Sequence, residues 1–128
     1  MMTRHVDGLR VVLECDSETS TIWTWNANGL VGKAEWLFEA ILAAEKMPYA
    51  ILITETHIAS ESKLPEILGC VGMHTGQSTR SAGVAIYVRA RRQYATIELP
   101  HASDRIIEVK QEEIVFVAMY APVNSANR

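Results

Sequence analysis

The chain predicts an α/β fold, a mixed β-sheet with flanking helices, on three observations. A β-branched and aromatic run, "TIWTW" at 21–25, gives way after Gly29 and Gly32 to a stretch of helical period. A near-continuous apolar run follows, "YAILITET" at 49–56, which reads as a strand covered on both faces. Farther on, "RIIEVKQ" and "IVFVAMY" flank a tight "QEE" junction and read as an antiparallel hairpin.

The elements follow in order. Residues 1–20 contain "LRVVLEC" between polar flanks, and read as a tail or an extra edge strand ahead of a domain spanning 21–128. From Lys33 to Lys46, Trp36, Leu37, Ala40, Ile41 and Ala44 recur on one helical face, while Lys33, Glu35, Glu39 and Glu45 fall elsewhere. Pro48 marks the stop. Strand, helix and strand in succession lead to a parallel crossover. "HIASESKLPEIL" reads as loop, "CVGMH" at 70–74 as a short strand, "TGQSTRSAG" at 75–83 as a polar loop and "VAIYVRA" at 84–90 as a strand. Pro122 ends the last strand. The expected core is Trp23 or Trp25, Ile51, Ile53, Val84, Ile86, Val115 and Val117, with the Trp36, Leu37, Ala40, Ile41 face packed on the sheet.

Composition narrows the function classes. A chain of 128 residues is one domain at most, and 48% hydrophobic with 21% charged residues is ordinary for a globular chain. A formal net charge of −3 supplies no overall basic footprint for nucleic acid. No apolar run approaches the roughly 18 residues of a membrane span, so no membrane partner is expected. Cys15 and Cys70 form no CxxC pair, which leads to the expectation of a reduced, intracellular protein.

Three polar residues stand against the pattern. Asn26 follows "TIWTW", Glu55 follows "AILIT" and Tyr120 follows "IVFVAM", each at the carboxyl end of an apolar strand, where open α/β sheets bind ligands. A carboxylate there needs a partner, and a hard cation such as Mg²⁺ prefers oxygen ligands. A carboxamide can orient or share that ligation, and a phenol can donate to a phosphate oxygen. Each residue also has a plainer reading. Asn28–Gly29 makes a turn, Glu55 a solvated strand end and Tyr120 a core residue with a wet hydroxyl. Arg80, Arg89, Arg91 and Arg92 could meet a phosphate backbone, or simply end a strand.

Taken in order, "TWNANGL", "LITETH", "AGVAIYV" and "MYAP" resemble the endonuclease/exonuclease/phosphatase (DNase I-like) family, and within it the retrotransposon-type endonucleases. The resemblance covers roughly 21–124. It implies the first half of a four-layer α/β sandwich and a Mg²⁺- or Mn²⁺-dependent phosphodiesterase acting on DNA. It implies Asn26 and Glu55 as metal-site residues and Tyr120 as the hydrogen-bond donor to the reacting phosphate. Asn28 matches a second site asparagine. Arg105 sits where some relatives face the substrate with arginine. Asn124 is a candidate phosphate contact, one residue later than the family places its asparagine, because Val123 intervenes.

The departures carry equal weight. The family's "GDxN" motif, which activates water, and its "SDH" motif, whose histidine assists at the phosphate, have no counterpart in these 128 residues. Asp104 is followed by Arg105 rather than histidine. The expectation is therefore a truncated endonuclease domain lacking full catalytic machinery. Its rivals are a non-catalytic interaction module of the same fold, or a phosphodiesterase acting on lipid or inositol phosphates. An exposed half-sandwich surface is expected to invite self-association.

Overall fold

The apolar runs settle into two sheets and a helix. The computed structural model describes residues 10–15, 18–59, 61–75, 83–100, 103 and 105–121. In chain order these give β1 (Arg10–Cys15), β2 (Glu18–Asn26), α1 (Ala34–Ala43), β3 (Ala50–Thr54), β4 (Cys70–His74), β5 (Val84–Arg89), β6 (Thr96–Leu99), β7 (Ile106–Gln111) and β8 (Ile114–Met119). A short 3-10 turn at Val31–Lys33 leads into α1. One sheet has the order β1-β2-β3-β5-β4, the other β6-β7-β8. β2 and β3 are parallel and joined through α1, as strand–helix–strand demands, while the remaining pairs are antiparallel. The fold is α/β, with more sheet than helix. Among the described residues no helix is long and apolar enough to cross a membrane.

The core divides into two clusters where one was expected. Trp23, Trp25, Ile51, Ile53, Ala85 and Tyr87 face Leu37 and Ala40 of the helix. Ala50, Val84, Ile86 and Val88 face Ile107, Val109, Phe116 and Ala118 of the smaller sheet. β3 and β5 are therefore buried on both faces, which is why their sequences show no alternation. The Tyr87 hydroxyl donates to the Pro65 carbonyl at 2.6 Å and ties the loop before β4 to the central sheet. Burial raises the affinity of that hydroxyl for its proton, so it stays a donor.

Several expectations need correction. Val115 and Val117 are 45% and 47% exposed, whereas Phe116 is 3% exposed. β8 alternates, and its pairing sets Phe116 opposite Val109 on the inner face. Trp36 is 51% exposed. It lies about a quarter-turn from the centre of the stripe formed by Leu37, Ala40 and Ile41. Helix α1 ends at Ala43, short of Lys46. The N-terminal stretch supplies a true edge strand, but β2 begins at Glu18, inside the segment set apart as 1–20. β6 was not expected: it is four residues long and half exposed, so it lacks the apolar run that betrays a strand.

Candidate functional site

Asn26 and Thr54 are the last residues of neighbouring parallel strands and stand side by side. The pairing does not stop there. Ala27, Gly29 and Leu30 donate backbone N–H bonds, each 2.9 Å, to the carbonyls of Thr54, Glu55 and Thr56. The two loops leaving β2 and β3 are thereby zipped together. Their backbone is unusual: Asn28, Glu55 and His57 have φ of 48°, 54° and 55°. Such left-handed conformations are uncommon outside glycine and persist only where surrounding bonds enforce them.

This backbone sets two polar side chains in contact. The Asn26 carboxamide donates through Nδ2 to Glu55 Oε2 at 2.7 Å. The other carboxylate oxygen, Oε1, lies 4.0 Å from His57 Nε2. That nitrogen is buried and has no hydrogen-bond partner. Among the described residues, no lysine or arginine forms an ion pair with Glu55. Lys33 instead turns its ammonium onto the loop, donating to the carbonyls of Ala27 at 2.7 Å and Asn28 at 3.4 Å. Sequence reasoning missed Lys33, and passed over His57 as an ordinary loop residue.

Gly83 closes the third side. Its carbonyl accepts the Thr56 N–H at 3.1 Å, and its φ is 107°. A Cβ there would stand 2.5 Å from Thr56 Oγ1. Gly83→Ala is therefore expected to destabilise the chain by about 1–3 kcal/mol in urea unfolding, from backbone strain alone. An unchanged midpoint would contradict this account of the loop.

The remaining candidates are distributed as follows. Tyr120 follows β8, with its backbone N–H donating to the Arg105 carbonyl at 2.8 Å, so those two residues are neighbours. The Tyr120 side chain packs at the border of the inter-sheet core. Val117, Ala118 and Met119 share the walls of a cavity of about 340 Å³ with Asn26 and Thr54. The end of β8 thus comes to the same end of the sandwich as Asn26. Among the described residues, no hydrogen bond joins Tyr120 to Asn26 or Glu55. Asn28 occupies the turn with an exposed side chain. Asn124 and Arg80 lie outside the described residues.

The other arginines belong elsewhere. Arg89 donates its backbone N–H to Tyr49, at the opposite end of β3 from Glu55. Arg91 contacts Glu112 at 2.7 Å and the Tyr49 hydroxyl at 3.2 Å, with its guanidinium 4.5 Å from the Tyr94 ring centre. Both hold the far end of the sandwich together. A larger cavity, about 560 Å³, lies beneath residues 62–70 and is lined by Cys70, His74 and Tyr87. Burial pushes the Cys70 thiol up, with Arg89 opposing, which leaves it a poor nucleophile.

Chemically, the Asn26–Glu55 arrangement offers one oriented carboxylate. Among the described residues, no group of three or more His, Cys, Asp or Glu side chains could hold a metal ion. Among the described residues this donor set does not amount to a zinc-type cage. Neither a protein-family model nor a curated protein matches this chain.

Proposed function

We propose that Asn26 and Glu55 form part of a Mg²⁺-dependent phosphodiesterase site of the DNase I-like kind, directed at DNA. One contact carries the reading: the 2.7 Å bond that orients the Glu55 carboxylate, which has no lysine or arginine partner among the described residues, at the carboxyl ends of two parallel strands. Glu55 is the residue that would hold Mg²⁺ or Mn²⁺. Asn26 fixes the carboxylate's direction through Nδ2. A bound ion would supply charge neutralisation at the phosphate. Tyr120 and Arg105, neighbours at the end of the smaller sheet, would donate to phosphate oxygens, with Asn28 and Asn124 as further contacts. The test is Mn²⁺ affinity, read by electron paramagnetic resonance with and without dithymidine monophosphate, a minimal phosphodiester. The expected result is weak binding that tightens with the dinucleotide, and a gain that Glu55→Gln abolishes. Affinity indifferent to both changes would overturn the reading.

A non-catalytic interaction module is the second reading, and a separate observation favours it. Ile97, Val115, Val117 and Met119 are exposed, and β8 is an edge strand of its sheet. The apolar edge strand β8, beside Glu108 and Lys110 of β7, supports association. Sedimentation velocity at rising concentration separates the two, because a site confined to Glu55 predicts no dependence on Val117→Lys.

A further inference from the structure

Lys33 has no role in the reading above, yet it is bound to the loop that carries Asn26. Its side chain reaches back from the turn before α1 and donates to two successive carbonyls, those of Ala27 at 2.7 Å and Asn28 at 3.4 Å. A charge-assisted bond of this kind is about twice as strong as a neutral one. Ala27 is the residue directly after Asn26, and its own N–H is spent on Thr54. Asn28 is held in the left-handed region, with φ of 48°. Two carbonyls turned toward one side of a loop repel one another, and an ammonium between them offsets that repulsion. The loop thus has a cation built into its bend, one side chain away from the Asn26–Glu55 contact.

We propose that Lys33 is a positioning residue: its ammonium locks the Ala27–Asn28 bend and so keeps the Asn26 carboxamide aimed at Glu55. Without it, the carbonyls relax away from each other and the end of β2 loses its fixed direction. The bond from Asn26 to Glu55 then becomes one option among several. An outer contact that fixes a ligand's orientation is typically worth about 10- to 100-fold in metal affinity. The consequence for metal rests on the proposed function, whereas the consequence for Asn26 does not.

The experiment follows both. In ¹⁵N-labelled chain, the Asn26 side-chain amide is read by NMR, assigned by its loss in Asn26→Asp. A carboxamide donating to a carboxylate shows its two proton resonances farther apart than those of a free amide, because the bonded proton moves downfield. Lys33→Met is expected to collapse that pair toward free-amide positions and to weaken Mn²⁺ binding about tenfold. Lys33→Arg, which keeps a cationic donor, is expected to retain the separated pair. Retention of the separated pair in Lys33→Met would overturn the proposal, whatever the metal does. Collapse of the whole spectrum in both Lys33→Met and Lys33→Gln would overturn it too, since Lys33 would then hold the fold rather than one loop. If Glu55→Gln leaves Mn²⁺ binding unchanged while Lys33→Met still frees Asn26, the metal site fails and the positioning role stands.

Discussion

The 128-residue chain is expected to nick supercoiled plasmid slowly or not at all in Mg²⁺. Glu55 is a single carboxylate, and a largely hydrated ion held by one protein group binds weakly until phosphate joins it. Among the described residues, no group of three or more acidic, imidazole or thiol side chains gathers at Glu55 to activate water. General-base assistance alone is worth on the order of 10²–10⁴ in rate. Loss of electrostatic stabilisation at the phosphate adds to that deficit. Among the described residues His57 is the imidazole beside Glu55, but its Nε2 is buried 4.0 Å from the carboxylate rather than open to solvent. Rapid Mg²⁺-dependent nicking that Glu55→Gln abolishes would show that this chain's own groups suffice for catalysis.

The second large effect belongs to the fold. Phe116→Ala is expected to cost about 3–5 kcal/mol, whereas Val117→Ala is expected to cost well under about 1 kcal/mol. Phe116 is 3% exposed and its ring centre lies 5.5 Å from that of Tyr49, across the gap between the sheets. Removing it opens a void that the two sheets cannot close, because Val84, Ile86 and Val109 already fill the surrounding space. Val117 points the other way and is 47% exposed. Urea unfolding followed by tryptophan fluorescence reads both. Equal costs would mean that β8 pairs one residue out of register.

That pair of neighbours also marks where the sequence stops being legible. The run "IVFVAM" announces a strand, but six apolar residues in a row carry no alternation, so the inward set cannot be chosen from composition. Pairing with β7, whose Val109 faces inward, makes the choice. The helix was easier: Leu37 and Ala40 follow the apolar period and are buried, Ile41 is half-buried, and Trp36, at the stripe's margin, is exposed. The parallel β2–β3 unit was legible because two strand-type runs flank a stretch of helical period bounded by Gly29 and Gly32 on one side and Pro48 on the other. The placement of Asn26 and Glu55 was legible for the same reason, since parallel strands with equal ends bring their terminal residues together. Lys33 and His57 were not. Lys33 reads as the polar side of a helix start, and its reach back to Ala27 depends on a bend that local sequence does not announce. His57 meets Glu55 through two left-handed residues, which non-glycine sequences rarely signal.

The proposed divalent-cation site at the ends of β2 and β3 depends on Glu55. Paramagnetic broadening of backbone amides by trace Mn²⁺ tests it most directly, since the effect is confined to groups near the ion. The account predicts that Ala27, Glu55, Thr56 and His57 broaden first, and that Glu55→Gln removes the effect. Broadening that begins elsewhere, at the Glu112–Glu113 turn or near Glu61 and Glu66, or that survives Glu55→Gln unchanged, would contradict it.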